Sequence, residues 1–399
     1  MSLSLDRRRL LQASAALGAL PLAGLGACTT LAGSGSGAAR PATSRFPVLA
    51  PIRAEPERLF DLTVCLRPFR AAGPRLDAEQ VGDALVVHNY GHGGSGWSLS
   101  WGSAEIAVGK AMASSPKAIA VVGCGALGLT SAITAQRAGA EVTIYARDLL
   151  PQTRSARATG QFTPDSRIAL AGAVAPDFPD LWERMARTSF KAYRSYLGLP
   201  GDPVEWLDTY DVSDLAPGAP AADPPGGLEF ARYRSRIRDI MPRGRLLSAE
   251  ESPFEASTVG LGASLTFNIA DYGHTLLSDF LLAGGRIRQR EFRAPAELGD
   301  LPEKVVINCP GYGARALWKD DSVVPVLGQI GWLIPQPEAR YGVSYNGVYI
   351  VSRRDGVVVQ AVSGGDMRGY GDDHEVVDRD ESLKSVAIVA DLMGRLRRA

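Results

Sequence analysis

The sequence predicts an α/β fold built on a parallel, dinucleotide-binding sheet, and three observations carry that expectation. Residues 118–145 read as strand, glycine turn, helix and strand. A second glycine-rich turn, HNYGHGGSG (His88 to Gly96), lies ahead of the first and is also flanked by an apolar strand and a helical stretch. The chain of 399 residues with 45% hydrophobic and 22% charged content is long and apolar enough for one large or two medium globular cores.

The N-terminal residues stand apart from the fold. Asp6-Arg7-Arg8-Arg9-Leu10-Leu11 followed by an Ala-, Leu- and Gly-rich stretch to Ala27 reads as a twin-arginine export signal over residues 1–28. Its alternative is an uncleaved membrane anchor, although the apolar run is at the short limit for spanning a bilayer. Leu25-Gly26-Ala27-Cys28 resembles a lipobox, which makes Cys28 a candidate lipid anchor and the location periplasmic or membrane-anchored. Residues 29–45, rich in Ala, Gly, Ser and Thr, have the composition of a flexible tether, and the folded part is expected to begin near Phe46.

Composition excludes several function classes. The 43 basic and 43 acidic residues balance, so no strong field draws nucleic acid or an anionic membrane, and a small molecule is the expected partner. Cys65, Cys124 and Cys309 are odd in number and widely spaced, so no disulfide framework is expected. His88 and His92 lack neighbouring Cys or carboxylate ligands, and no metal is expected.

In the strand–turn–helix unit, Ala118 to Val122 is a short buried strand, Leu127 to Arg137 a helix and Ala140 to Tyr145 the next strand. Gly123 permits the tight turn, Gly125 lets a pyrophosphate approach the backbone, and Gly128 lets the helix pack close to the strand. The helix start, Ala126 and Leu127, supplies unpaired N–H groups and partial positive charge to phosphates. At the end of the second strand, where an acid usually holds the adenosine ribose, the chain has Arg147 and then Asp148, one place late on an alternating strand. The fingerprint alone does not separate NAD from FAD.

Other segments resemble the D-amino-acid oxidase family. The small, polar run Thr153 to Gly160 is similar to the stretch that covers the flavin ring there, Val305-Val306-Ile307-Asn308-Cys309-Pro310-Gly311 to the strand and turn that re-enter the flavin domain, and Tyr345-Asn346-Gly347-Val348-Tyr349-Ile350 to the substrate-roof hairpin. Leu66-Arg67-Pro68-Phe69-Arg70 and HNYGHGGSG resemble the family's closing segments, yet here they precede GCGALG. The resemblance therefore implies a circularly permuted chain, with Ser114-Ser115-Pro116-Lys117 joining what are otherwise the two free ends. The implied architecture is a Rossmann-like FAD-binding domain (68–168 and 262–322) plus an α+β substrate domain with a mixed or antiparallel sheet (46–67, 169–261 and 323–399).

The resemblance implies FAD as cofactor, a D-amino acid as substrate and oxygen as electron acceptor. It implies hydride transfer from the substrate Cα to flavin N5, giving a 2-oxo acid, ammonia and hydrogen peroxide. Arg67 would fork the substrate carboxylate, Tyr349 would add a hydroxyl to it, Tyr345 would close the pocket, and the Gly94 carbonyl would accept the amine. The implied cofactor contacts are Gly123, Gly125, Ala126, Leu127, Gly128, Arg147, Asp148, Thr159, Gly160, Gly311 and the turn Gly93, Gly94, Ser95, Gly96 and Trp97. His88 and His92 are read as structural residues of that turn rather than bases. A D-aspartate oxidase, with Arg340 or Arg353 receiving a second carboxylate, stays open, as do another flavin-dependent amine or amino-acid dehydrogenase, a flavin protein without turnover and a nicotinamide-dependent dehydrogenase.

Overall fold

The computed structural model describes residues 46–216 and 227–398; the expected export signal, the candidate lipid anchor Cys28 and the expected tether lie outside the described residues. Runs of small and β-branched apolar residues set the first sheet. Ala84–His88, Val305–Asn308 and Ala118–Val122 are almost continuously apolar, the pattern of strands covered on both faces, and they are buried along nearly their whole length. The six-stranded sheet runs Ala78–Val81, Ala84–His88, Val305–Asn308, Ala118–Val122, Glu141–Ala146, Arg286–Gln289. Val305–Asn308 is parallel to both neighbours, with Val306 opposite Val86 on one side and Ala120 on the other. The segment around Val86 therefore lies in the same sheet as Val121 and is no separate module.

The second sheet has eight strands in the order Leu59–Phe69, Val324–Leu333, Gly356–Ala361, Val348–Arg353, Tyr341–Tyr345, Val204–Ser213, Thr258–Phe267, Arg245–Leu246. It is mixed, because Tyr341–Tyr345 runs parallel to Val204–Ser213 while the other pairs are antiparallel. Two of the expected boundaries need correction. Divisions at 67/68 and 261/262 cut through Leu59–Phe69 and Thr258–Phe267, each of which is one strand of this sheet. Both strands continue because their ladders do: Leu59–Phe69 pairs with Val324–Leu333 to its last residue, and Val204 still pairs with Phe267.

The described residues form one compact unit. Helices Gly96–Ala111, Ala126–Arg137, Phe178–Tyr193 and Ile269–Leu282 share a single apolar cluster that also takes in Leu265 and Phe267 of the eight-stranded sheet. On another part of that sheet, helix Arg379–Gly394, begun by the Asp378 carboxylate accepting from Glu381 N–H (2.9 Å), contributes Val386, Val389 and Leu392 to a second cluster.

Helix Gly96–Ala111 is rich in Gly, Ser and Ala and buried over most of its circumference, so neighbouring backbones come close. A Cβ at Gly102 would sit 2.2 Å from the Met185 carbonyl oxygen on helix Phe178–Tyr193. Gly102→Val must push the two helices apart, and a loss of about 1–3 kcal/mol or more is expected in denaturant unfolding. A midpoint unchanged from wild type would contradict this packing.

Candidate active site

A cavity of about 810 Å³ opens along the C-terminal ends of the parallel strands, where three turns converge. Val122 to Leu127 follows one strand, Cys309 to Gly313 follows the next, and His92 to Trp97 follows the third. Gly123 has φ +98, and a Cβ there would lie 2.3 Å from the Cys309 carbonyl, so the first two turns touch through a position that only glycine fits. Helix Ala126–Arg137 aims its first N–H groups into this space, and the Ala126 N–H already donates to Ser155 Oγ (3.0 Å). That hydroxyl and the helix start form an anion cradle.

The turn His92–Trp97 is held from below by polar groups. His92 Nε2 lies 2.8 Å from Ser103 Oγ, Ser103 donates to Asn89 Oδ1, and Asn89 Nδ2 donates to Ser131 Oγ (3.0 Å) on the dinucleotide helix. Burial pulls the His92 pKa down to about 3, so its ring is neutral at physiological pH. His88, whose ring packs edge-on against Trp318, bonds Glu79 (2.7 Å) and Asn308 (3.1 Å), and burial lowers its pKa as well.

At the other end of the cavity, Arg67 reaches across its neighbouring strand. Its guanidinium donates to the Leu327 carbonyl (3.2 Å) and lies over Gly328, where a Cβ would be 2.3 Å from Nη1. Among the described residues no carboxylate lies within salt-bridge distance of it, and burial lowers its pKa. Tyr349 lines the same cavity, and its buried Oη meets no well-formed hydrogen bond among the described residues. The Gln161 amide beside it is at most a weak partner, and its own Nε2 lacks a well-formed hydrogen bond as well. A buried hydroxyl, a buried amide and a guanidinium without a counter-ion are costly unless a ligand completes them. A carboxylate is the ligand that satisfies all three.

Of the expected residues, Arg67, Tyr349, Gly93, Gly94, Gly96, Trp97, Gly123, Gly125, Ala126, Leu127, Arg147, Asp148, Thr159, Gly160 and Gly311 line this one cavity. Arg147 and Asp148 both face it, paired with each other at 2.7 Å. The strand ends at Ala146, so the alternation expected to separate their faces has already stopped.

Three expected residues do not line it. Tyr345 packs in the cluster on the opposite side of the sheet and donates to Asp214 (2.9 Å), because it pairs across the hairpin with Val348 and side chains alternate faces. Ser95 turns inward and donates to the Thr163 and Ser166 carbonyls (3.2 and 3.0 Å), fastening the turn. Gly128 packs the helix on its turn, a Cβ there falling 2.0 Å from the Gly123 oxygen. Nor are the alternative cations at the cavity: Arg340 pairs with Glu205 (2.5 Å), and Arg353 is held by Asp355 and the Ala158 carbonyl (2.7 Å).

Residues not singled out in the sequence complete the wall. Ser155, Arg157, Gln161, Arg167, Arg290, Phe292 and Arg368 all line it. Ser155 and Arg157 lie within the run Thr153 to Gly160, but nothing in the spacing of that run marks them. The cavity extends from Arg147, Asp148, Arg290 and Phe292 past the helix start to Arg67 and Tyr349. An adenosine-bearing dinucleotide would fit this lining, with Ala126 and Ser155 the residues that would hold its phosphates and Gly160, Gly94 and Tyr349 those that would border its reactive ring.

Residues 118–398 match the family described as FAD dependent oxidoreductase. The chain is 31% identical over 215 residues to the D-amino-acid oxidase of Streptomyces coelicolor, a stretch covering 53% of this chain and 58% of that one. It is 48% identical over 52 residues to the D-aspartate oxidase of Cryptococcus neoformans var. grubii, covering 12% of this chain and 13% of the relative. It thus spans a little over half of one of these relatives and about an eighth of the other. Among solved structures it is similar to glycine oxidase from Bacillus cereus, at 15% identity and a TM-score of 0.44 over 70% of this chain and 78% of that one. With the dinucleotide cradle, the two sheets and a match across most of its length, the chain belongs to the FAD-dependent oxidoreductase family of D-amino-acid oxidase homologues, and its cofactor is FAD.

Proposed function

We propose that this protein oxidises free D-amino acids, with water and oxygen, to 2-oxo acids, ammonia and hydrogen peroxide. The observation that carries the reading is the presence of a guanidinium at Arg67 without a carboxylate at salt-bridge distance and a buried Tyr349 hydroxyl without a well-formed hydrogen bond, in the cavity that also holds the dinucleotide turn. The D configuration rests on the likeness to relatives named for D-amino acids. Bound FAD supplies the electron-pair acceptor.

The chain's own residues bind and orient. Arg67 offers two parallel N–H groups to the substrate carboxylate and Tyr349 adds a third donor, which fixes the position and rotation of Cα. The Gly94 carbonyl accepts from the substrate amine once that amine is neutral. His92, with a pKa near 3, is neutral at physiological pH and too weak a base to take up a second ring proton, so its part is to support the turn.

Purified protein is expected to show flavin absorption bands that bleach anaerobically with D-alanine or D-aspartate. Arg67→Leu should raise the substrate concentration needed for bleaching by about 100-fold while flavin stays bound, since a charge-assisted fork is lost. Flavin that every D-amino acid leaves oxidised defeats the proposal. In the same assay His92→Ala should keep bleaching within about tenfold of wild type between pH 6 and 9. Loss at every pH with flavin retained would make His92 a participant in the chemistry.

We also propose that the chain is a circular permutation of the family's usual order. Supporting this, the described chain begins beside its described end: Arg397 lies 5.9 Å over the Phe46 ring, and Ile52 N–H donates to Met393 Sδ (3.2 Å). The loop at Ser114–Lys117 joins helix Gly96–Ala111 to strand Ala118–Val122. A chain opened between Ser115 and Pro116, with residues 46 and 398 joined by a short Gly/Ser linker, should fold and bind FAD. An insoluble or flavin-free product, against a soluble, flavin-bound wild type, would refute the permutation.

A further inference from the structure

Arg67 is one of a group of arginines. Arg167 and Arg368 line the cavity with it, and Arg232 stands behind them. Two carboxylates answer these four cations. Asp366 is shared between Arg167 (3.3 Å) and Arg232 (2.5 Å), while Glu381 pairs with Arg368. Arg232 is 65% exposed, so water screens much of its charge, but Arg67 and Arg167 are sheltered. Burial and the neighbouring Arg67 together pull the Arg167 pKa down to about 10, despite Asp366 beside it. The site therefore holds more positive charge than one substrate carboxylate neutralises.

Arg167 is also held in a conformation that a side chain rarely adopts. Its φ is +48, and its backbone packs against the turn that carries Gly94: a Cβ at Gly93 would fall 1.8 Å from the Arg167 oxygen. From there its guanidinium donates to the carbonyls of Gly365 (2.8 Å) and Asp366 (2.9 Å), which orient it at the cavity wall. A cation at a binding turn that is held in a rare backbone conformation, oriented by backbone carbonyls and left to share its one carboxylate with Arg232 is suited to a further anion.

We propose that Arg167, supported by Arg368, forms a second anion subsite beside Arg67, and that the substrate is an amino acid with an acidic side chain. This rests on the reading of the cavity as a flavin-linked amino-acid site. Arg67 takes the α-carboxylate and Arg167 the side-chain carboxylate. The FAD phosphates belong to the helix start at Ala126 and do not compete for either.

The test uses the FAD-loaded enzyme and two readouts. Malonate and propionate, similar in size but differing in one carboxylate, are titrated against the flavin absorption spectrum. In wild type, malonate should bind about 10- to 150-fold more tightly than propionate, the value of one charge-assisted contact. Arg167→Met should abolish that difference and Arg167→Lys should restore part of it. The ratio of kcat/KM for D-aspartate over D-asparagine should fall by a similar factor in Arg167→Met. Equal binding of malonate and propionate in wild type overturns the proposal, as does a difference that survives in Arg167→Met. A flavin that no D-amino acid reduces defeats the oxidase reading instead, and the malonate comparison still decides the subsite.

Discussion

The strand Val305–Asn308 is the constraint on which the rest of the structure depends. Its parallel ladders bind Ala84–His88 on one side and Ala118–Val122 on the other, in registers that put Asn308 beside both His88 and Val122. The ladders continue into the turns, with Asn89 N–H donating to the Asn308 carbonyl and Cys309 N–H to the Val122 carbonyl. Because the turns leave the same edge of the sheet, two glycine-rich segments from different parts of the sequence face one cavity. A slip of this strand by one residue would reverse its side chains and separate those turns.

Beneath the turns, polar groups buried among apolar helices add specificity. The line from His92 through Ser103 and Asn89 to Ser131 ties helix Gly96–Ala111 to the dinucleotide helix. It contains no charge, since His92 is neutral, so it escapes the desolvation penalty of a buried ion pair. At one end of the cavity Arg67 spans a glycine to reach open space, with Arg167 and Arg368 on the same wall, while Arg147, Asp148 and Arg290 line the other end. The turn itself is supported by neutral contacts.

Much of this was legible in the residues. The glycine turn between strand and helix, the run Thr153 to Gly160 and the HNYGHGGSG turn each carry local backbone requirements, and most of their members line the cavity. The exceptions share a cause. Tyr345 and Tyr349 sit on the same hairpin, but a pleated strand sends them to opposite faces. Ser95 lies within the correct turn yet points into the protein, where two carbonyls needed a donor. Asp148 looked misplaced only while the strand was imagined to continue past Ala146. The boundaries at 67/68 and 261/262 failed because a ladder ends where its partner ends, and the partner is distant in sequence.

Local residue patterns set the local elements: which apolar runs are strands and where glycine permits a phosphate-binding turn. These follow from short-range sterics and periodicity, which any window of the chain displays. Only the tertiary structure decided which cations share the cavity. Arg340 and Arg353 are as basic as Arg167 in the sequence, but Arg340 is taken by Glu205 and the buried Arg353 by Asp355 away from the cavity, while Arg167 is carried against Gly93 and Arg67 lies across Gly328. Long-range packing chooses among chemically equal side chains, because the free energy of a charge depends on what surrounds it, and those surroundings come from residues far away in the chain.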